Sequence, residues 1–212
     1  MKNVMLAAAL LAAGALSAET TPVMVSLATP VQAPTSDFGV TGLRLSLVYG
    51  RCARFTGLDL GLANSTDGVF TGLGIGGVNI AGGRLWGAQA GLVNWNANDA
   101  TEWPRRSIGA QVGLLNCADS LCGYQEGLVN ISCGSFVGLE SGAFNCANDV
   151  QGAQVGVYFI FGVNVASGTL TGAQVGLVNY AESVEGGLQI GLVNIIARNG
   201  WMPVLPFVNG SF

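Results

Sequence analysis

A short segment of the form G-(A/L)-Q-(V/I)-G-L-V-N recurs ten times along the chain, and this repetition constrains the fold more than any other feature. Its clearest copies are residues 87–94, 172–179 and 187–194. Seven of the nine steps between consecutive lead glycines are 14 or 15 residues long, the glycines being residues 42, 57, 72, 87, 109, 123, 138, 152, 172 and 187. A fixed period of this kind predicts a chain built by stacking one small structural unit.

Within one copy, counted from the lead glycine as position 0, the residue pattern predicts two short strands. Positions 1, 3 and 5 are mostly aliphatic, whereas positions 2 and 4 are Gln and Gly, and this alternation indicates a β-strand with one apolar face. Leu and Val then stand side by side at positions 5 and 6, as in Leu128-Val129, which predicts a corner at position 4. We expect the leucines to form the repeat core, so that Leu128→Asp would unfold neighbouring coils.

Two all-β architectures fit the repeat length. In a parallel β-solenoid each copy is one coil, and ten coils spaced at about 4.8 Å make a rod of roughly 48 Å. In an antiparallel outer-membrane β-barrel each copy is one strand, and about 11 tilted residues span an apolar band of about 25 Å.

The sameness of the copies favours the solenoid, because consecutive barrel strands end at opposite rims and have no reason to share turns. The even number of copies and the terminal Phe212 favour the barrel. The sequence therefore predicts a single-domain parallel β-solenoid of about ten coils of 14–15 residues, with the antiparallel barrel as the alternative.

The flanking segments differ from the repeats. Residues 1–18 resemble a secretory signal peptide, with Lys2 before an apolar run and small residues at the end. Residues 19–39 form a leader rich in Pro and Thr, which we expect to be extended and loosely held, and residues 197–212 form a C-terminal cap after the repeat domain of residues 40–196. Two inserts interrupt the repeats, and at the eighth copy Phe159 takes the place of the Asn at position 7.

Composition disfavours several function classes. Twelve acidic residues outnumber eight basic ones, so nucleic acid is a poor partner. Histidine is absent, which removes Ser-His-Asp and Cys-His triads and the commonest zinc ligand. The acids are scattered through the coils, as at Asp59 and Glu140, and we expect them to be solvated. The sequence predicts no enzyme activity, cofactor or metal.

Disulfides and one long insert are the remaining candidate features. Five cysteines in an exported chain are expected to oxidise, and those near coil turns are the candidate pairs, with open connectivity: Cys117, Cys122, Cys133 and Cys146. The first insert is the candidate partner-binding loop, because long loops on rigid repeats commonly carry binding residues, here Trp95, Asp99, Glu102, Trp103, Arg105 and Arg106. A capping or packing role for this loop is the alternative.

Two repeated amides are interpreted differently. The Asn at position 7 is predicted to be structural, with stacked side chains hydrogen-bonded to one another. The Gln at position 2 is predicted to form a flat polar stripe on the surface, which is either simply exposed to solvent or binds a glycan.

At the repeat itself the chain resembles a family of bacterial surface-repeat proteins of unknown function. These begin with G-L-R-L-x-L-x-Y-G, here residues 42–50, repeat G-x-Q-x-G-L-V-N, and close with P-x-x-P-x-x-N, here residues 203–209. The resemblance implies an exported, envelope-associated protein and supplies no activity. We therefore expect an exported structural or interaction protein of the periplasm, outer membrane or cell surface, with an envelope protein or a glycan as partner and outer-membrane association as a further expectation. A small barrel acting as a pore or anchor is the alternative.

Overall fold

The structure, a computed structural model, describes residues 19–98, 106–156 and 162–212, and in this part of the chain the regular structure is entirely β. Strands β1 to β12 are, in order, Thr20–Ala28, Val31–Ala33, Gly39–Cys52, Arg54–Thr66, Phe70–Ala81, Leu85–Asn96, Ser107–Val112, Leu115–Ala118, Leu121–Gly156, Val163–Val175, Val178–Arg198 and Val204–Ser211. Across the same described ranges, none of the chain forms a helix with the length and apolar character needed to cross a membrane.

Successive copies pair in parallel and in register. Gly42 of β3 pairs with Gly57 of β4. In the same way, Gly57 pairs with Gly72 of β5, and Gly72 pairs with Gly87 of β6. All strands join one sheet in the order β12-β11-β10-β9-β7-β6-β5-β4-β3-β1-β2, with β8 between β6 and β9. The chain is thus a parallel β-solenoid of about 11 turns, as predicted, and the antiparallel barrel is excluded.

The additional turn comes from the leader. Strand β1 pairs in parallel with β3, with Met24 opposite Arg44, and β2 folds back antiparallel on β1. The segment expected to be loosely held therefore extends the stack at its N-terminal end. At the other end, β12 pairs antiparallel with β11, and the ring of Trp201 lies 5.7 Å from that of Phe212.

The interpretation of the eighth copy was wrong at one position. Asn164, and not Phe159, takes the Asn place, because Asn164 pairs with Asn145 on one side and with Asn179 on the other. Residues 157–161, including Phe159, lie outside the described residues. The insertion thus falls inside the eighth coil, before its second strand.

The lead glycines are required by the close approach of neighbouring coils. In the first nine copies, the φ angles of the lead glycines lie between 126° and 155°, a region that residues with a Cβ rarely adopt. A Cβ at Gly72, for example, would collide with the carbonyl oxygen of Gly57 in the preceding coil. The lead glycine therefore allows the backbone turn and the stacking at once.

The apolar core occupies one side of the interior. It is built from large side chains two residues before the lead glycine, such as Phe55, Phe70, Leu121 and Leu170, which are at most 2% exposed. Small residues at position 9 of the coils lie in the same core, among them Ala81, Ala118, Ala147, Ala166 and Ala181.

The leucines at the corner, by contrast, face outward. Of the seven leucines at position 5 in the described ranges, six are between 55% and 71% exposed, and we call these the corner leucines: Leu47, Leu62, Leu92, Leu114, Leu128 and Leu192. The seventh, Leu177, is half-buried. Leu128 is 58% exposed, so the expectation that it belongs to the repeat core was wrong. The apolar face of the alternating strand is the outer face of the solenoid, and the Gln and Asn face is the inner one.

Candidate functional site

The asparagines at position 7 form a continuous ladder inside the solenoid. Each side-chain amide nitrogen donates to the Oδ1 of the Asn in the next coil at 2.8–3.1 Å, in the order Asn64, Asn79, Asn94, Asn116, Asn130, Asn145, Asn164, Asn179 and Asn194. The same nitrogen also donates to a backbone carbonyl, as Asn130 does to Ser141 at 2.9 Å. The predicted structural role of this column is confirmed.

The glutamines at position 2 form a second buried ladder. Gln111 donates to Gln89 at 3.0 Å, Gln125 to Gln111 at 2.7 Å, and Gln189 to Gln174 at 2.7 Å. Each of these side chains is at most 1% exposed, so the predicted solvent-facing stripe was wrong. Donation runs toward the N-terminal end here and toward the C-terminal end in the Asn ladder.

The ends of the two ladders account for three unpaired polar atoms. Asn64 Oδ1, Gln89 Nε2 and Gln189 Oε1 are buried and have no hydrogen-bond partner. Each is the first or last group of a ladder, where the neighbouring coil supplies no matching amide. Each ladder hydrogen bond therefore depends on the adjacent coil having the same residue, since an isolated buried amide is costly.

Two charged residues take the place of Gln in the first coils. Arg44 and Asp59 occupy position 2 and are 0% and 1% exposed. Arg44 Nε donates to Asp59 Oδ1 at 2.8 Å, and the guanidinium also donates to the Ser65 carbonyl at 2.7 Å. Burial opposes the charge on Arg44, but the hydrogen bond and the charge of Asp59 outweigh it, so the pKa of Arg44 is raised. Asp59 was expected to be solvated, and that expectation was wrong.

Glu140 interrupts the Gln ladder in the seventh coil and is 0% exposed, again contrary to the expected solvation. Gln154 Nε2 donates to it at 2.7 Å, and Ser132 Oγ lies 3.0 Å from its Oε1 and 3.2 Å from Gln125 Oε1. One hydroxyl hydrogen cannot serve both acceptors, whereas a protonated Glu140 supplies the second hydrogen. Burial raises the pKa of Glu140 to about 7, against the lowering effect of these donors.

This carboxyl makes the stability of the protein pH-dependent. The folded pKa of about 7 lies above the ordinary value of 4.5. Stability is therefore full below pH 4.5 and falls as pH rises toward 7, by about 3 kcal/mol in total. We expect Glu140→Gln to remove this fall, since a Gln restores the ladder donor. Urea titrations between pH 4 and 8 measure it, with exposed Glu185→Gln as the control, and a wild-type pH profile in Glu140→Gln would contradict the assignment.

The outer surface separates apolar from charged residues. Beside the corner leucines, the rows at positions 1, 3 and 8 expose Leu73, Ile75 and Ile80 by 36–44%. Most charged side chains of the repeats in the described ranges lie at the opposite edge, between the second strand and the next coil, which we call the turn edge: Arg54, Asp67, Glu185 and Arg198, which are exposed, and Asp119 and Asp149, which are half-buried. Arg51 is an exception in the position-8 row, where it pairs with Ser65 and is 50% exposed. Glu126 is an exception at position 3, and it accepts a 2.7 Å hydrogen bond from Tyr124.

Two tryptophans of the fourth coil lie on the two sides of the apolar surface. Trp86, in the row before the lead glycine, is 48% exposed, and Trp95, at position 8, is 51% exposed. The guanidinium of Arg84 lies over the Trp86 ring, 4.7 Å from its centroid. From the corner outward, the exposed side chains are thus first aliphatic, then aromatic and then charged.

The predicted binding loop is represented by two of its six residues. Trp95 belongs to β6 and is exposed, while Arg106 donates to Ser135 Oγ at 2.9 Å. Asp99, Glu102, Trp103 and Arg105 lie outside the described residues. The grouping of the six residues into a binding loop therefore stays a prediction.

All five cysteines are free thiols in the structure, and the pairing among Cys117, Cys122, Cys133 and Cys146 stays a prediction. In the adjacent strands, the register partners of Cys117, Cys122 and Cys146 are Ile131, Ile108 and Val165. Burial, followed by the charge of Cys133, raises the pKa of Cys117. Cys133 itself is exposed.

In the described ranges, no three or more Cys, Asp or Glu side chains cluster in a way that could hold a metal ion. Comparison of the chain with known protein families, with curated proteins and with solved structures gave no match. The position-2 charges, Arg44, Asp59 and Glu140, are the buried groups that sequence reasoning missed. The signal was present, since each stands in the Gln column of the repeat.

Proposed function

We propose that the protein is an exported, non-catalytic repeat protein of the cell envelope that acts as a structural and interaction module. The observation that carries this proposal is the inverted solenoid, which has amide ladders inside and a row of exposed leucines outside. Envelope proteins, glycans and the membrane surface are the partner classes that the proposal includes.

The size of the apolar surface supports an interaction role. About 11 turns at about 4.8 Å give a rod of roughly 50 Å. Exposed aliphatic side chains at positions 1, 3, 5 and 8 recur from the first coil to the last along this rod, whereas the largest apolar patch of an ordinary soluble monomer covers about 300–600 Å². Apolar surface of this extent is typical of proteins that use it for contact.

The arrangement of the polar groups supports a structural role for the interior. Asn130, for example, is 0% exposed and uses its amide on Ser141 and Asn145 while accepting from Asn116. Amides engaged in this way hold coils together and present no group to a substrate. The exterior is therefore the surface through which we propose that the protein acts.

Cell fractionation tests the proposal. In a bacterial host we expect the protein outside the cytoplasm and sedimenting with the envelope, and we expect the double variant L114D/L128D to be released into the soluble extracytoplasmic fraction. The double variant A197D/N199D changes two exposed positions beside Arg198 in the turn edge, adds the same two charges, and serves as the control that stays bound. Retention of the wild type in the cytoplasm, or identical fractionation of all three proteins, would contradict the proposed function.

A further inference from the structure

We propose that the corner leucines insert into the hydrocarbon of a lipid bilayer, with the rod lying along the membrane surface. This inference rests on the proposed function and names the partner of its apolar surface. The partner is the uncharged apolar layer of a bilayer of zwitterionic lipids, without a protein receptor.

The shape of the surface favours a fluid partner. The corner leucines are 55–71% exposed, while the flanking Leu58, Leu73 and Ile75 are only 37–44% exposed. The apolar surface is thus a convex edge, and two rigid convex edges meet along a line rather than over a complementary area. Lipid chains rearrange around a convex edge and can cover all of it.

The spacing along the edge leads to the same conclusion. Gly77 and Ala143 stand in the corner row between the leucines and interrupt it. A second copy of this chain would have to match these gaps, whereas fluid hydrocarbon fills them. At the N-terminal end of the row, Val25, Leu45, Leu47 and Leu60 line an open groove of about 320 Å³, which suits a segment of an acyl chain.

The order of side chains also fits a bilayer. A helix or rod that lies in the membrane interface buries its apolar face by about 5–10 Å and keeps charges in water. Trp86 and Trp95 flank the aliphatic rows, and indole rings favour the boundary between hydrocarbon and headgroups. Arg84, against the ring of Trp86, lies on the water side of that boundary.

The charge of the protein determines which lipid headgroups it can approach. The net charge of the chain is −4, and most exposed charges of the repeats lie at the turn edge, away from the leucines. Arg51 stands in the position-8 row and forms an ion pair with Asp67 of the turn edge. An anionic bilayer would repel the chain, so neutral zwitterionic headgroups are the matching surface. Glu126 is the one acid identified within the apolar rows of the described part, and it opposes insertion there.

Vesicle flotation tests the inference with the protein purified after export. With phosphatidylcholine vesicles, we expect the wild type to float, L114D/L128D to bind at least about tenfold more weakly, and the turn-edge control A197D/N199D to bind like the wild type. We expect Glu126→Val, which installs the aliphatic residue that other coils have at position 3, to bind about threefold more tightly or better. Matching thermal unfolding of all variants shows that folding is unchanged.

Two results would overturn the inference. One is equal flotation of the wild type and L114D/L128D. The other is a wild type that does not float and instead sediments as a dimer, with L114D/L128D sedimenting as a monomer. That result would assign the corner leucines to contact with a second copy, and it would not contradict the proposed function. Loss of envelope fractionation in cells, by contrast, would remove the proposed function itself.

Discussion

Asn130→Leu is expected to destabilise the protein by about 4 kcal/mol, although it places an aliphatic residue of similar size in a buried position. Asn130 donates to Ser141 and Asn145 and accepts from Asn116. Leucine removes the Asn130 donor from the Ser141 carbonyl and from Asn145 Oδ1, and it leaves the Asn116 amide nitrogen with its other acceptor alone, the Glu126 carbonyl. Each buried polar group left unsatisfied costs about 1–3 kcal/mol. Urea-induced unfolding monitored by circular dichroism measures the change in the free energy of unfolding.

The matched control lies two residues away. Leu128→Asp replaces an aliphatic residue by a charge, and because Leu128 is 58% exposed we expect a change within about 0.5 kcal/mol. A conventional apolar core would give the reverse order. If Leu128→Asp destabilises the protein more than Asn130→Leu, the inverted arrangement of the two faces is wrong.

Asp59→Ala is expected to cost about 3–5 kcal/mol, because it leaves the guanidinium of Arg44 buried without its counter-charge. Arg44 is 0% exposed, and Asp59 is its ion-pair partner. The double variant R44M/D59L removes both charges, and we expect it to recover most of the lost stability, since apolar replacement of a buried ion pair is commonly neutral. Thermal and urea unfolding compare the two.

The exposed ion pair of Arg51 and Asp67 provides the comparison for this prediction. Its side chains are 50% and 44% exposed, and their Nε and Oδ1 atoms lie 2.8 Å apart. We expect Asp67→Ala to cost less than about 1 kcal/mol, as exposed pairs do. Equal losses in Asp59→Ala and Asp67→Ala would show that the Arg44 pair is not buried.

The sequence was sufficient for the architecture. Identical copies imply identical environments, and the Leu-Val doublet marks the corner between two strands, so the period and the break in alternation together predict a parallel solenoid. The leader was harder to interpret, because Thr20–Ala28 lacks the lead glycine of the repeat and still pairs with β3. Backbone pairing to an exposed strand edge requires no repeat signature.

The sidedness of the strand could not be obtained from hydrophobic alternation alone. That rule assigns the apolar face to the interior, whereas in stacked coils identical amides satisfy one another at the inter-coil spacing. A different signal was available in the variability of the columns. The corner-side positions accept Tyr124, Glu126 and Ser141, while the Asn column continues through an insertion to Asn164. Tolerance of this kind is typical of an outer face.

The neighbours of the cysteines were difficult to predict for a similar reason. Sequence proximity suggested pairs among the four cysteines, but only the register decides which side chains are neighbours across coils. Cys117 lies beside Ile131, and Cys146 beside Val165. A register assigned from the lead glycines predicts these neighbours directly.

Hydrogen–deuterium exchange of the side-chain amides, followed by ¹⁵N NMR, tests the inverted solenoid most directly. The ladders place the carboxamide hydrogens of Asn130 and Gln125 inside the protein, each donating to the amide of an adjacent coil. We therefore expect these hydrogens to exchange orders of magnitude more slowly than those of exposed Asn199, and only as coils open. Exchange of the ladder amides at the rate of Asn199 would contradict the account.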